Sequence, residues 1–214
     1  MNIDLGCGTE KTPGFFGIDR RNLPGVDLIF DMNYPIPLPD DSVEFVMASR
    51  SLPYVRDLFA VMADIYRMCT HKAVVCILAP FAHSFAHMSN PFFRQKFDLY
   101  TPRYFTPNFF QPPSGARCPE LPGYDDHEPP FDFRLLRMEL FYYPPYEPPL
   151  YNREELEMLP GLEMNVVHEI MYHFVAVKHG ITNEELVRMS SQSYIEPACA
   201  ANYRTSPPDS SRQL

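Results

Sequence analysis

Proline decides where this chain can build regular structure. The sequence holds 24 prolines against 9 glycines, and the prolines crowd the stretch between Pro102 and Pro149. Proline fixes φ and removes a backbone donor, so FTPNFFQPPSGARCPELPGYDDHEPP can sustain neither a helix nor a central strand. An irregular connection is expected there, which confines strands and helices to the residues before it and to the final third.

Before that stretch the signals alternate. NIDL, FFGID, VDLIFD and VEFVMAS read as four short apolar strands. Val55, Leu58, Phe59, Met62, Ile65, Tyr66 and Cys69 then follow the spacing of one helix face, and KAVVCILAPF reads as a fifth buried strand. Apolar strands spaced by helices or loops predict an α/β fold, a mostly parallel sheet buried on both faces by helices. In the final third FDFRLLRMELFYYPPY and EMNVVHEIMYHFVAVK alternate in stretches, with the short helical NREELEML between them, and predict an edge strand pair. Residues 197–214 are small, polar and proline-rich and are expected to form a disordered tail. The 214 residues suit a single domain, taken as residues 1–196.

Charge narrows the choice of partner. A formal net charge of -9 repels phosphate backbones and anionic bilayers, and no basic run offsets it, so neither nucleic acid nor a membrane is expected as partner. Cys7, Cys69, Cys76, Cys118 and Cys199 are odd in number and scattered, without a C-x-x-C pair, which predicts no disulfide framework and no zinc knuckle. No basic-then-apolar leader follows Met1 and no apolar run approaches the length of a membrane span, so a cytoplasmic location is expected.

Ligand chemistry gathers at the first turn. Asp4-Leu5-Gly6-Cys7-Gly8 leads a short strand into two glycines, which lack a Cβ and allow backbone to approach a ligand. Alone, such a turn is common. Its continuation is more particular: Gly17-Ile18-Asp19, then Phe30-Asp31, then the PLPDDSVEFV run from Pro37, then Asp64-Ile65-Tyr66-Arg67-Met68. Together these stretches resemble the Rossmann-like (class I) S-adenosylmethionine-dependent methyltransferases, in a short subgroup where a loop replaces the first helix. Asn90-Pro91 and the TPRYF stretch from Thr101 are similar to segments that follow the fifth strand in that subgroup.

The resemblance implies a Rossmann-like methyltransferase sheet, S-adenosyl-L-methionine as cofactor, and methyl transfer to an oxygen or nitrogen of a small-molecule or peptide acceptor. It implies cofactor-binding roles for Asp4, Gly6, Cys7, Gly8, Asp19, Asp31, Met32 and Ser49. Gly6 and Gly8 would let the turn pass under the methionine part, with Cys7 filling space between them, and Asp4 would balance the cofactor's ammonium. Asp19 would accept from two ribose hydroxyls, as the two oxygens of one carboxylate can. Asp31 would accept from the adenine amino group beside the Met32 backbone N–H, and the Ser49 backbone would line the methionine side.

His83 and His87 follow the fifth strand, where such sheets build active sites, and histidine titrates near neutrality; they are the candidate general bases. Their H-x-x-x-H spacing lacks a nearby third ligand, so no metal is expected. Residues 81–130, rich in aromatics and proline, are expected to form a lid or acceptor-binding insertion over the cofactor mouth. The resembling family commonly carries His-x-Leu-Glu-His after strand four, where this chain has Ser49-Arg50-Ser51-Leu52-Pro53-Tyr54. That departure keeps an alternative open, a methyltransferase-like binding or assembly module without transfer.

Overall fold

The computed structural model describes residues 1–121, 128–146 and 150–205. Its centre is a seven-stranded sheet in the order β3-β2-β1-β4-β5-β7-β6. The strands are β1 (Asn2–Leu5), β2 (Phe16–Asp19), β3 (Leu28–Ile29), β4 (Val43–Ser49), β5 (Cys69–Pro80), β6 (Phe133–Tyr142) and β7 (Val167–Ala176). β1 to β5 pair in parallel, whereas β7 runs antiparallel to both β5 and β6. The mostly parallel sheet with an edge strand pair therefore stands as expected. Strand order reverses between β1 and β4, and in open α/β sheets such a switch point opens a crevice at the carboxyl ends of the strands.

Alternation along the strands sorts side chains into two cores. On one face Val75, Ile77 and Ala79 of β5 meet Val61, Met62 and Ile65 of α1 (Leu58–Met68), whose Asp57 caps the first turn by accepting from Ala60 N at 3.0 Å. On the other, Val74, Cys76 and Leu78 of β5 join Phe45 and Met47 of β4, Met171 and Val175 of β7, and Phe15 from the β1–β2 connection. That second face is closed by Leu186 and Met189 of α4 (Asn183–Ser190) and Ala200 of α5 (Ala198–Thr205).

Three expectations change. β3 pairs over Leu28–Ile29 only, shorter than VDLIFD implies, because it lies at the sheet edge with a single neighbour. β5 begins at Cys69, immediately after α1, with a register shift against β4 between Val43 and Phe45. The tail expected at 197–214 is helical over Ala198–Thr205, because α5 has a face to cover: Ala200 is fully buried and Tyr203 packs on Phe141 with ring centroids 5.0 Å apart. The remainder of that tail, residues 206–214, lies outside the described residues.

The segment 81–130 is anchored rather than draped. Arg94 N and Gln95 N both donate to the Pro53 carbonyl, and Gln95 Nε2 donates to the carbonyls of Val55 and Arg56. Phe97 and Phe105 are fully buried, Tyr172 Oη donates to Asp98 O at 2.6 Å, and Phe105 meets Phe174 with centroids 5.5 Å apart. It thus supplies part of the core; residues 122–127 of the expected lid lie outside the described residues. Two shorter helices, α2 (Phe85–Met88) and α3 (Arg153–Met158), complete the framework, the latter with a capping box between Asn152 and Glu155.

His173 of β7 is fully buried on the α4–α5 face, its ring stacked on Tyr194 at 5.6 Å. Burial, helped by the Arg137 charge, lowers its pKa from the ordinary 6.5 to about 4. The unfolded chain binds this proton more readily, so the contribution is complete above pH 6.5 and is lost as pH falls toward 4. Between pH 8 and pH 5 the loss is about 2 kcal/mol. Urea midpoints of wild type and His173→Phe at both pH values should show a weaker pH dependence in the variant; equal dependence would exclude His173 as its source.

Candidate functional site

At the switch point, the carboxyl ends of β1, β2, β3 and β4 surround a cleft of about 270 Å³. Gly6, Asp19, Phe30, Asp31, Met32, Arg50, Ser51 and Tyr54 contribute to its lining. Gly6 follows β1 with φ +70, and a Cβ there would stand 2.3 Å from Ser51 Cβ. Glycine is required on both counts, conformation and space. Met32 Cε approaches the same point at 3.4 Å, so the first turn, the post-β3 residue and the post-β4 turn meet around one backbone atom group. Ser51 Oγ is buried without a partner among the described residues, an unspent donor and acceptor beside the cleft.

The carboxylates are fixed by backbone. Asp19 Oδ2 accepts from Gly8 N at 3.0 Å and Oδ1 from Arg21 N at 2.8 Å, which ties the glycine turn to the end of β2. Asp31 Oδ1 accepts from Asn33 N and Asn33 Nδ2; burial pushes this carboxyl up, but those bonds and the charges of Arg56 and Arg20 outweigh it, and its pKa is lowered. Asp31 Oδ2 has no protein donor among the described residues. Asp4 is buried and accepts from Thr12 N at 2.7 Å; burial raises its pKa against that bond.

Of the residues expected at a cofactor, Gly6, Asp19, Asp31 and Met32 thus line one cleft. Asp4, Cys7, Gly8 and Ser49 stand behind its lining: Asp4 and Gly8 brace the turn, and Cys7 is buried with its thiol pushed up to about 11, by burial first and by Asp4 and Asp19 next. The histidines are elsewhere. His83 is exposed beside Phe81, and His87 is buried, stacked on Phe93 at 5.5 Å, with burial lowering its pKa. Phe93 in turn packs on Tyr54 at 4.8 Å, so His87 reaches the cleft only through two rings. Among the described residues no three His, Cys, Asp or Glu side chains are grouped as metal ligands, and no helix is long and apolar enough to cross a membrane.

Sequence reasoning passed over Arg50. It follows β4 with φ 56, and its guanidinium spans to the far side of the sheet edge: Nε to Glu169 Oε1 at 2.5 Å, Nη2 to Glu169 Oε2 at 2.8 Å and to Tyr203 Oη at 2.7 Å. Tyr203 Oη also donates to Glu169 Oε2 at 2.7 Å. Ser49-Arg50-Ser51 was visible as a departure after β4, but its partners lie on β7 and α5, far along the chain. Arg20, Arg21 and Arg56 add exposed positive charge at the rim, a cluster drawn from separate segments.

No protein-family model and no curated protein matches the sequence. Solved structures do match. An S-adenosylmethionine-dependent methyltransferase from Archaeoglobus fulgidus is 14% identical over 81% of this chain and 85% of that one, with a TM-score of 0.53. The chain has the class I methyltransferase fold. A methyltransferase in complex with the Haloferax volcanii Trm112 methyltransferase activator is 12% identical over 85% of this chain and 83% of that one, with a TM-score of 0.49. The cyclase SpnF is 18% identical over 38% of this chain, which spans only 39% of its length, with a TM-score of 0.33.

Within this class I fold the glycine turn yields a contrast that mutation can read. At Gly8, φ is +55 but nothing lies within 4 Å of an added Cβ. Gly8→Ala should cost about 1 kcal/mol of stability, from backbone strain alone. Gly6→Ala adds the collision with Ser51 and should cost about 2 to 4 kcal/mol. Equal costs in chemical denaturation would contradict the close approach of the two turns.

Proposed function

We propose that the protein binds S-adenosylmethionine in this cleft and transfers its methyl group to an oxygen or nitrogen of a small-molecule or peptide acceptor. The supporting observation is the meeting of two separately anchored carboxylates, Asp19 and Asp31, with Gly6 and the Ser51 that closes against it in the lining of one cleft. That set fits the group. Asp19 would accept from the ribose hydroxyls while its backbone donors keep it oriented, and Asp31 Oδ2 would accept from the adenine amino group beside the Met32 N–H. Asp4, Cys7, Gly8 and Ser49 would hold the turn and the post-β4 backbone in place for the methionine arm.

When bound, the cofactor supplies a methyl group already activated by its sulfonium. The protein's share is then orientation and exclusion of water. Tyr54, Phe93 and the anchored segment at 94–95 would wall the acceptor side. As a base, His83 would serve only an acceptor that extends from the cleft to the loop after β5, and His87, with Phe93 and Tyr54 between it and the cleft, would serve only one that reaches past those rings. A carboxylate acceptor, ionised at neutral pH, would need neither.

Calorimetry with S-adenosylmethionine tests this directly, followed by a screen for methylated products. Binding without any transfer would leave the non-catalytic binding module as the better reading. Asp19→Ala removes charge-assisted hydrogen bonds worth about 1.5 to 3 kcal/mol each, so affinity should fall at least tenfold. A folded Asp19→Ala variant with wild-type affinity would remove Asp19 from the site.

A further inference from the structure

The connection between β1 and β2, residues 6–15, contains no helix, so the first turn of this fold offers no helix N-terminus to an anion. S-adenosylmethionine carries one anionic group, the carboxylate of its methionyl arm. Resting on the cofactor reading above, some other donor must meet that carboxylate beside the glycine turn. Arg50 lines the cleft together with Gly6 and Ser51.

Three features set Arg50 apart from the exposed arginines at the rim. Its backbone lies in the left-handed region, φ 56, held by Arg50 N donating to Leu78 O at 2.7 Å. Its Nε and Nη2 are both committed, to the Glu169 carboxylate and to Tyr203 Oη. Glu169 is 2% exposed, so the fork is fixed from a buried site on β7 and not from a mobile surface group. The remaining edge, at Nη1, has no partner among the described residues, and the side chain keeps 42% of its surface open. A guanidinium immobilised on one edge and free on the other loses little rotamer freedom on meeting a carboxylate.

We infer that α5 is part of the cofactor site: Tyr203 and Glu169 position Arg50, whose free edge takes the methionyl carboxylate of S-adenosylmethionine. In this arrangement Arg50 is the binding residue, and Tyr203 and Glu169 act through it. The assignment also gives a reason for the strained backbone at Arg50. An extended residue there would project its side chain off one face of the sheet rather than across the end of β5 to β7.

Decarboxylated S-adenosylmethionine isolates the carboxylate, since it keeps the sulfonium, the amine and the nucleoside. Calorimetry on the full chain should show the wild type binding S-adenosylmethionine at least tenfold more tightly than the decarboxylated compound. Arg50→Met combined with Glu169→Gln, which leaves no buried charge unpaired, should erase that preference by weakening the carboxylated ligand alone. Tyr203→Phe keeps the ion pair and should shrink the preference several-fold, an effect that a merely structural role would spread over both ligands. An undiminished preference in the folded double variant, equal weakening of both ligands, or a wild type indifferent to the carboxylate would each overturn the inference. If the wild type bound neither ligand, the cofactor reading itself would fall.

Discussion

The structure depends on how little chain connects β1 to β2. Parallel neighbours need a crossover, usually a helix that covers one face of the sheet. Here residues 6–15 make the crossing as a loop, cinched by Asp4 accepting from Thr12 N, by Gly6 N donating to Ile18 O, and by the pair of Lys11 with Asp27 at 2.8 Å. Phe15 is its one large buried contribution, edge-on to Phe45 with centroids 5.5 Å apart. The rest of that face must be covered by something distant in sequence. α4 and α5 provide the cover, and they bring Tyr203 to the sheet edge where Arg50 and Glu169 pair.

The same economy shapes the cleft. With no helix beginning at the glycine turn, the turn is instead braced by residues that line the cleft. Asp19 holds Gly8 N, and Ser51 closes against Gly6. Each bracing contact joins the ends of two strands of the parallel sheet. Asp64 extends this pattern to the opposite face, accepting from Ile36 N at 2.7 Å and from Arg67 Nε at 2.8 Å, which pins the PLPDDS turn before β4 onto α1.

The legible part of this molecule was local. Runs such as NIDL and KAVVCILAPF announce buried strands because they face packed layers, and the glycine turn and the two carboxylates that the spacing singles out, Gly6, Asp19 and Asp31, line one cleft. Where the post-β5 histidines point was not legible, because proximity to a strand end does not fix which way a loop leaves it: His83 turns to solvent and His87 packs under Phe93. α5 was illegible for a different reason. ACAANYRT has only a weak apolar face, and what makes it a helix is the uncovered sheet surface and the salt bridges of Arg204 to Glu139 and Glu196, neither of which a window on the sequence can contain.

Arg50 and Tyr203 are separated by 153 residues, while the strands that build the floor of the cleft are near neighbours in the chain. Contacts so far apart in sequence are held by the sheet between them, since the pairing of β5 with β7 already brings Glu169 to the strand end beside Arg50. With the strands paired and α5 undocked, Arg50 would still meet Glu169 on β7 and would lack only the Tyr203 hydroxyl that fixes the pair from behind.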